Sequence, residues 1–214
     1  MSGFVRFLVI LVLVIGGIFA VLRATCISFW TVPSDDPLFG ASVMPTLEHG
    51  DVVALWRLGS PGYAELVRCA DPEIPGRYVV GRILGEPGDH LTGSAHSLWV
   101  NKRIISSAHA CQNARYTIPH PVTGEPVDLL CEEEETGGND YTRLRLDYMP
   151  ATPETFDTRV PPGHVFLISD NRAFHNDSRE FGAVAKANCK ERIFFRLWSV
   201  RGWGDAARRL SFVH

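Results

Sequence analysis

Hydrophobic residues are distributed very unevenly along this chain. Phe7 to Leu22 reads FLVILVLVIGGIFAVL, 16 residues without a charge. As a helix it spans roughly 24 Å, a little less than the roughly 30 Å hydrocarbon core of a bilayer. Starting from Phe4 lengthens the stretch to 19 residues, with Arg6 able to snorkel to the interface. A cleavable secretory signal has the same basic start and apolar middle. However, Arg23-Ala24-Thr25-Cys26 offers no small-x-small cleavage site, and Arg23 also disfavours lipidation at Cys26. The pattern therefore predicts an uncleaved single membrane span at about residues 4–22. Positive charge flanks both ends, so the charge rule by itself leaves the orientation open.

Beyond the anchor the pattern changes to short apolar runs separated by turns. Strands are predicted at Asp51–Leu58 after Gly50, and at Tyr78–Leu84 before the turn Glu86-Pro-Gly-Asp89. Leu98–Val100 and Arg103–Ile105 flank Asn101-Lys102 as a tight hairpin. Thr142–Tyr148 alternates with period two, and His164–Ile168 follows Pro161-Pro-Gly163. Amphipathic helices are scarce, so the crossovers that a parallel sheet needs are missing. The expected fold is mainly β: a transmembrane helix (1–28), then an antiparallel β domain (29–214). Within the latter, about 92–162 is looser in composition and reads as an inserted, loop-rich subdomain. Its acidic run Glu132–Glu135, followed by Gly137-Gly138, is expected to be a solvated loop. Ile193–Trp198 reads as a last core strand. The aromatic and arginine-bearing stretch from Trp203 to Phe212 is either a solvated tail or a lipid-interface contact.

Composition narrows the function class. Apolar residues make up 45% and charged residues 21%, with a net charge of −3. That balance excludes a disordered chain and argues against nucleic acid as a partner. The five cysteines are dispersed without metal-ligand spacing, so no zinc or other metal is expected. Cys111 and Cys131 either bridge in an oxidising compartment or remain buried thiols. Only three of the 21 basic residues are lysines: Lys102, Lys186 and Lys190.

Two blocks concentrate chemistry. The first is Phe39-Gly-Ala-Ser-Val-Met-Pro-Thr-Leu-Glu-His-Gly-Asp51, which holds Ser42 on a rigid turn before a strand. The second is Ser169-Asp-Asn-Arg-Ala-Phe-His-Asn-Asp-Ser-Arg179, polar groups crowded after an apolar strand, costly unless they bond one another. With Arg82-Ile-Leu-Gly-Glu-Pro-Gly-Asp89 between them, these blocks resemble type I signal peptidases (leader peptidases). That family carries Ser-Met-x-Pro-Thr, then Lys-Arg-x-x-Gly-x-Pro-Gly-Asp, then Gly-Asp-Asn-Arg-x-x-Ser-x-Asp-Ser-Arg, behind a membrane anchor.

The resemblance implies a membrane-tethered serine endopeptidase in the cell (inner or plasma) membrane. Its catalytic domain would be extracytoplasmic, its partners the lipid bilayer and the signal peptides of exported preproteins, and it would need no cofactor. Ser42 matches the nucleophile. Val43, Leu47 and Val80 match the pocket for a small side chain before the cleaved bond, where selection is steric. Gly40 stands where some members carry an oxyanion-binding hydroxyl, which leaves the Ser42 backbone N–H as the main donor. Asp170, Asn171, Arg172, Ser178 and Arg179 match the supporting network, and Asp177 with Arg179 matches an ion pair. Gly81 occupies the catalytic lysine's position, and none of the three lysines lies in a matching box. A serine hydroxyl without a neighbouring base is a poor nucleophile.

Several readings follow from that loss. One is an active peptidase with a substituted base. Another is a catalytically lost relative that binds signal peptides or proteins. A third is a dedicated pilin-type processing peptidase. For the first, the serine that would contact the lysine is replaced by His175, in Ala173-Phe-His-Asn-Asp177. A neutral imidazole, with a reference pKa near about 6.5, is suited to take the serine proton, with Asp177 orienting the ring. His90 and His49 are weaker candidates for the base.

Overall fold

The computed structural model describes residues 3–94, 97–105, 107–136, 138–148 and 155–213. Helix α1 (Gly3–Thr25) buries none of its residues. Its 23 residues extend about 35 Å, and it is long and apolar enough to cross a membrane. The helix outruns the expected span by one residue at its start and three at its end. Thr25 Oγ1 donates to Val21 O (2.8 Å) there, and Arg23 lies in the last turn, where its charge suits the helix dipole.

Strand β1 (Ile27–Thr31) follows at once, then the short helix α2 (Pro37–Ser42) and β2 (Val52–Trp56). Next come β3 (Leu66–Ala70), β4 (Tyr78–Gly85), β5 (His90–Ser94), β6 (Leu98–Val100) and β7 (Arg103–Ile105). Two long strands, β8 (Ser107–Pro119) and β9 (Pro126–Thr136), precede β10 (Asn139–Leu146) and β11 (Thr155–Arg159). The chain closes with β12 (His164–Ile168), helix α3 (Ser178–Phe181), β13 (Val184–Ala185), β14 (Glu191–Trp198) and β15 (Ser211–Phe212).

These strands form three sheets. The largest runs β1-β2-β14-β3-β4-β12-β13, with β15 pairing onto β14. A second runs β11-β5-β6-β7 and a third β10-β9-β8. Every strand pairing among the described residues is antiparallel, as the scarcity of crossover helices requires. Strand β4 is buried from Val79 through Gly85, as expected of a central strand covered on both faces. The β6–β7 turn has Asn101 and Lys102 at φ of 50° and 68°, the left-handed pair that a two-residue hairpin demands.

The segment expected to be loop-rich is built largely of strands. The acidic run is not a solvated loop: Glu132–Glu135 lies within β9, and Glu134 is fully buried. Burial is possible because Arg143 on the neighbouring β10 meets both Glu132 and Glu134, while Arg172 reaches Glu134 from another part of the chain. For Glu132, burial opposes ionisation, yet the hydrogen bonds from Arg145 and Arg143 hold its carboxyl down to about 2.

Cys111 and Cys131 bridge β8 to β9. A second disulfide, Cys69–Cys189, ties β3 to the short turn of 3₁₀ helix (Lys186–Asn188) before β14. Cys26 is a free, buried thiol. The two bridges close loops of very different length, 120 residues for Cys69–Cys189 and 20 for Cys111–Cys131. On chain-entropy grounds the first contributes roughly 5 kcal/mol and the second roughly 3 kcal/mol. Denaturant unfolding of the full-length protein in micelles is expected to show that order. The Cys69→Ala/Cys189→Ala protein should lose more stability than Cys111→Ala/Cys131→Ala.

Candidate functional site

Ser42 ends helix α2. Asp36 caps this helix by accepting from Phe39 N (3.0 Å), and Pro37 supplies a first-turn residue whose missing N–H costs nothing. The Ser42 side chain is buried, and its Oγ donates to Phe39 O (2.7 Å). Asn171 fastens this turn from outside. Its Nδ2 donates to Ala41 O (2.9 Å) and its backbone N–H to Ser42 O (3.1 Å). Asn171 Oδ1 in turn accepts from Ala173 N and Phe174 N, so the clamp is itself held.

Asn171 is aimed by a buried ionic frame. Arg82 on β4 donates Nε and Nη2 to the two oxygens of Asp170, at 2.7 and 3.1 Å, with both side chains about 1% exposed. Its Nη1 donates to Ala64 O (3.0 Å), and its guanidinium lies 4.2 Å from the centre of the Tyr141 ring. Thr46, four residues after Ser42, donates its hydroxyl to Asp170. A second shared carboxylate continues the frame. Glu134 accepts from Arg172 (2.6 Å) and the Tyr141 hydroxyl (2.6 Å), and pairs with Arg143 (2.5 Å). Burial pushes the Tyr141 phenol well above its usual range, which keeps it a donor here. The sequence had marked Asp170 and Arg172, but neither Thr46, Glu134, Tyr141 nor Arg143. A signal for Glu134 and Arg143 did exist, since an acidic run is followed by an alternating stretch carrying Arg143 and Arg145.

The segment after Arg172 forms the second half of the site. Asp177 caps α3 in a reciprocal box: it accepts from Arg179 N, and Glu180 accepts from Asp177 N. Asp177 also accepts from Ser169 N (2.7 Å) and from both Nε and Nη2 of Arg179, at 2.9 and 2.6 Å. Burial alone would raise its carboxyl. The Arg179 charge and hydrogen bonds, helped by His175, hold it well below the usual carboxylate range. Ser178 Oγ accepts from Leu167 N (2.9 Å), which ties α3 to β12.

His175 is mostly buried, with Nδ1 paired to Glu180. The ligand atoms of His175, Asp177 and Glu180 lie within 4.8 Å of one another, the only such group among the described residues. Both Asp177 oxygens already accept from Arg179 and from backbone N–H groups, so the group is a cap and ion-pair network.

Of the expected pocket residues, Val43, Leu47 and Val80 do come together. They share one buried cluster with Phe39, Leu66 and Ile193. Gly81 pairs with Val67 across the sheet. A Cβ there would stand 3.1 Å from Leu167 Cβ and 3.3 Å from Ile168 O, so any side chain at 81 presses on β12. Gly40 is constrained differently, because a Cβ there would fall inside the His49 ring. The His49 Nδ1 is hydrogen-bonded to Pro33 O. His90 lies elsewhere, paired with Asp157 (2.6 Å) on the β11-β5-β6-β7 sheet.

Comparison with known proteins follows the same lines. The sequence model of the family described as "Signal peptidase, peptidase S26" matches residues 3–198. The chain is similar to "Signal peptidase I" of Bacillus caldolyticus, 27% identical over 167 residues, covering 76% of this chain and 78% of that one. It is also 27% identical over 172 residues to "Mitochondrial ATP-independent inner membrane protease subunit 1a" of Arabidopsis thaliana, covering 78% of this chain and 71% of that one. A crystal structure of a signal peptidase I from Enterococcus faecalis V583 aligns at 22% identity and a TM-score of 0.37, over 64% of this chain and 98% of that one.

The ion pair at Asp177 has a signed consequence. Its folded-state pKa is depressed, so its stabilisation is complete above about 3.9, the ordinary Asp value, and is lost only as the pH falls below that. Arg179→Met removes the counter-charge and leaves burial unopposed. Urea unfolding at pH 7 should show a loss of about 3–5 kcal/mol. The deficit should shrink as the pH is lowered toward 5, because protonation then relieves the buried charge. A deficit that stays constant with pH would show that Arg179 matters only through packing.

Proposed function

The chain belongs to the signal peptidase family, peptidase S26, and on that footing we propose that it is an active, membrane-anchored serine endopeptidase that cleaves signal peptides from exported preproteins. The observation that carries this reading is the fastening of the Ser42 turn to the buried Arg82–Asp170 frame through Asn171. A surface turn has no need of such a frame, whereas a nucleophile must be held within a few tenths of an ångström of its reacting geometry. Helix α1 supplies the single-pass anchor, and the β domain stands on the extracytoplasmic side of the inner or plasma membrane. The lipid bilayer and preprotein signal peptides are its partners. The exposed rings of Trp198 and Trp203, stacked at 5.7 Å, suit a lipid interface.

In this mechanism Ser42 turns its hydroxyl from Phe39 O toward the substrate carbonyl and attacks it. The Ser42 N–H, with the Gly40 region, stabilises the developing oxyanion. Val43, Leu47 and Val80 receive the small side chain that precedes the cleaved bond. Gly81 stands at the family's lysine position, and His175 replaces that lysine as the base. Asp177 and Glu180 flank the imidazole, the first fixed by Arg179 and the second directly paired with it. The proton taken from Ser42 then passes to the leaving amine, as in other serine–histidine pairs.

One observation favours the rival reading, a binding protein without catalysis. The Ser42 hydroxyl is 1% exposed and already engaged with Phe39 O. Cleavage of a purified test preprotein by full-length protein in lipid vesicles separates the two. Wild type should cleave, and Ser42→Ala should fall by at least about 10³-fold. His175→Ala should lose about 10²-fold or more. Adding Gly81→Lys to His175→Ala should restore part of the activity, at some stability cost where the new Cβ meets β12. Undiminished cleavage by Ser42→Ala would sink the nucleophile assignment. Full activity in His175→Ala would sink the relocated base alone.

A further inference from the structure

Helix α2 has two faces, and only one of them has been assigned a role above. Phe39 and Val43 turn into the cluster that holds Leu47 and Val80. Pro37, Gly40, Ala41 and Met44 turn the other way and form one wall of a groove of about 660 Å³. That is the size of a ligand site. The opposite wall is the end of β8, Thr117 to Pro119, and the turn that follows it as far as Gly124; Val200 and Arg201 also line the groove. Strand β8 is the edge of its sheet. The groove therefore runs between the Ser42 helix and a sheet edge, the kind of boundary to which an extended chain can add.

The chemistry of the lining selects the occupant. Pro37, Met44, Ile118, Pro121, Val122 and Val200 give it a largely apolar surface. Its ionisable residues are already engaged. Glu48 is paired with Arg201 at 2.7 Å and with Arg208. The His120 Nδ1 accepts from Val122 N and Thr123 N, at 3.1 and 3.2 Å, and His49 is bonded to Pro33 O. A charged ligand would find no counter-charge without breaking one of these pairs. An apolar chain loses nothing by entering. The groove also reaches the two residues that precede Ser42, Gly40 and Ala41.

We infer that this groove binds the substrate segment just after the cleaved bond, the start of the mature protein, as an extended strand that turns apolar side chains into it. The inference rests on the proposed function. There the residue before the cleaved bond enters on the Val43 and Leu47 face of α2. A chain that crosses Ser42 from that face leaves over Gly40 and Ala41, and the groove is what lies beyond them. Glycine at residue 40 leaves room for the His49 ring, which also lines the groove and with which any Cβ would collide.

The test separates this inference from the activity on which it rests. Full-length Ser42→Ala protein in micelles is titrated with two acetylated, fluorescently labelled hexapeptides representing the mature side alone. One has Leu at its second and third positions and the other Asp. The Leu peptide should bind about ten-fold tighter or better. Val122→Asp should erase that preference; Val122 is 85% exposed, so this change does not threaten the fold. With wild-type protein, the same exchange within a cleavable preprotein should change kcat/KM by a similar factor. Equal affinity for the two peptides, or a preference untouched by Val122→Asp, would overturn the inference even if the preprotein is cleaved. A hexapeptide taken from the signal-peptide side that binds tighter than the Leu peptide, and loses that affinity in Val122→Asp, would overturn the assigned direction. Val122-dependent binding by a protein that cleaves nothing would leave the groove standing while the peptidase reading falls.

Discussion

A buried charge pair, Arg82 with Asp170, sets the terms for the rest of the β domain. Two charges withdrawn from water are tolerated only when every donor and acceptor around them is satisfied. Much of the surrounding structure does that work. Ala64 O takes one Arg82 N–H, Thr46 donates to Asp170, and the Tyr141 ring lies on the guanidinium face. Those partners come from the β3 approach, the loop after Ser42 and the inserted sheet. Satisfying one ion pair therefore brings three distant parts of the chain together at the candidate nucleophile.

The same need for satisfaction ties the β8-β9-β10 sheet to the rest of the domain. Its apolar face, with Ile118, Leu129 and Leu144, packs on Ala41 and Met44 of the Ser42 turn. Its buried Glu134 serves Arg172, which follows directly on Asn171. From the other side the chain end closes on the loop after Ser42. Arg196 donates to Thr46 O and pairs with Asp51, Arg208 donates to Pro45 O, and Arg201 and Arg208 share Glu48. Both flanks of residues 42–48 are thus held by the surrounding chain.

The region around His175 follows a different logic. Asp177 is committed to Arg179 and to backbone N–H groups, so its geometry is fixed by the α3 cap. The imidazole is steadied instead by Glu180. Glu180 thus serves both the helix cap and the imidazole of His175. At Gly81, β12 presses on the backbone and leaves little room for a side chain.

What the sequence determined by itself was everything carried by local periodicity or by contiguous motif. The long apolar run gives α1, short apolar runs give β2, β4, β12 and β14, an alternating run gives β10, and Asn101-Lys102 gives its hairpin, because side-chain period and turn chemistry act over a few residues. The three polar blocks marked Ser42, Asp170, Asn171 and Asp177 before any contact was known. Tertiary structure decided the pairings that span the chain. Cys69 meets Cys189 across 120 residues, and nothing in the spacing distinguishes that bridge from the alternatives. Glu132–Glu135 has the composition of a solvated loop, yet Glu134 is buried, because Arg143 arrives from β10 and Arg172 from the loop after β12 to neutralise it. Burial of a charge depends on what stands opposite it, and only the folded sheet order places those residues there.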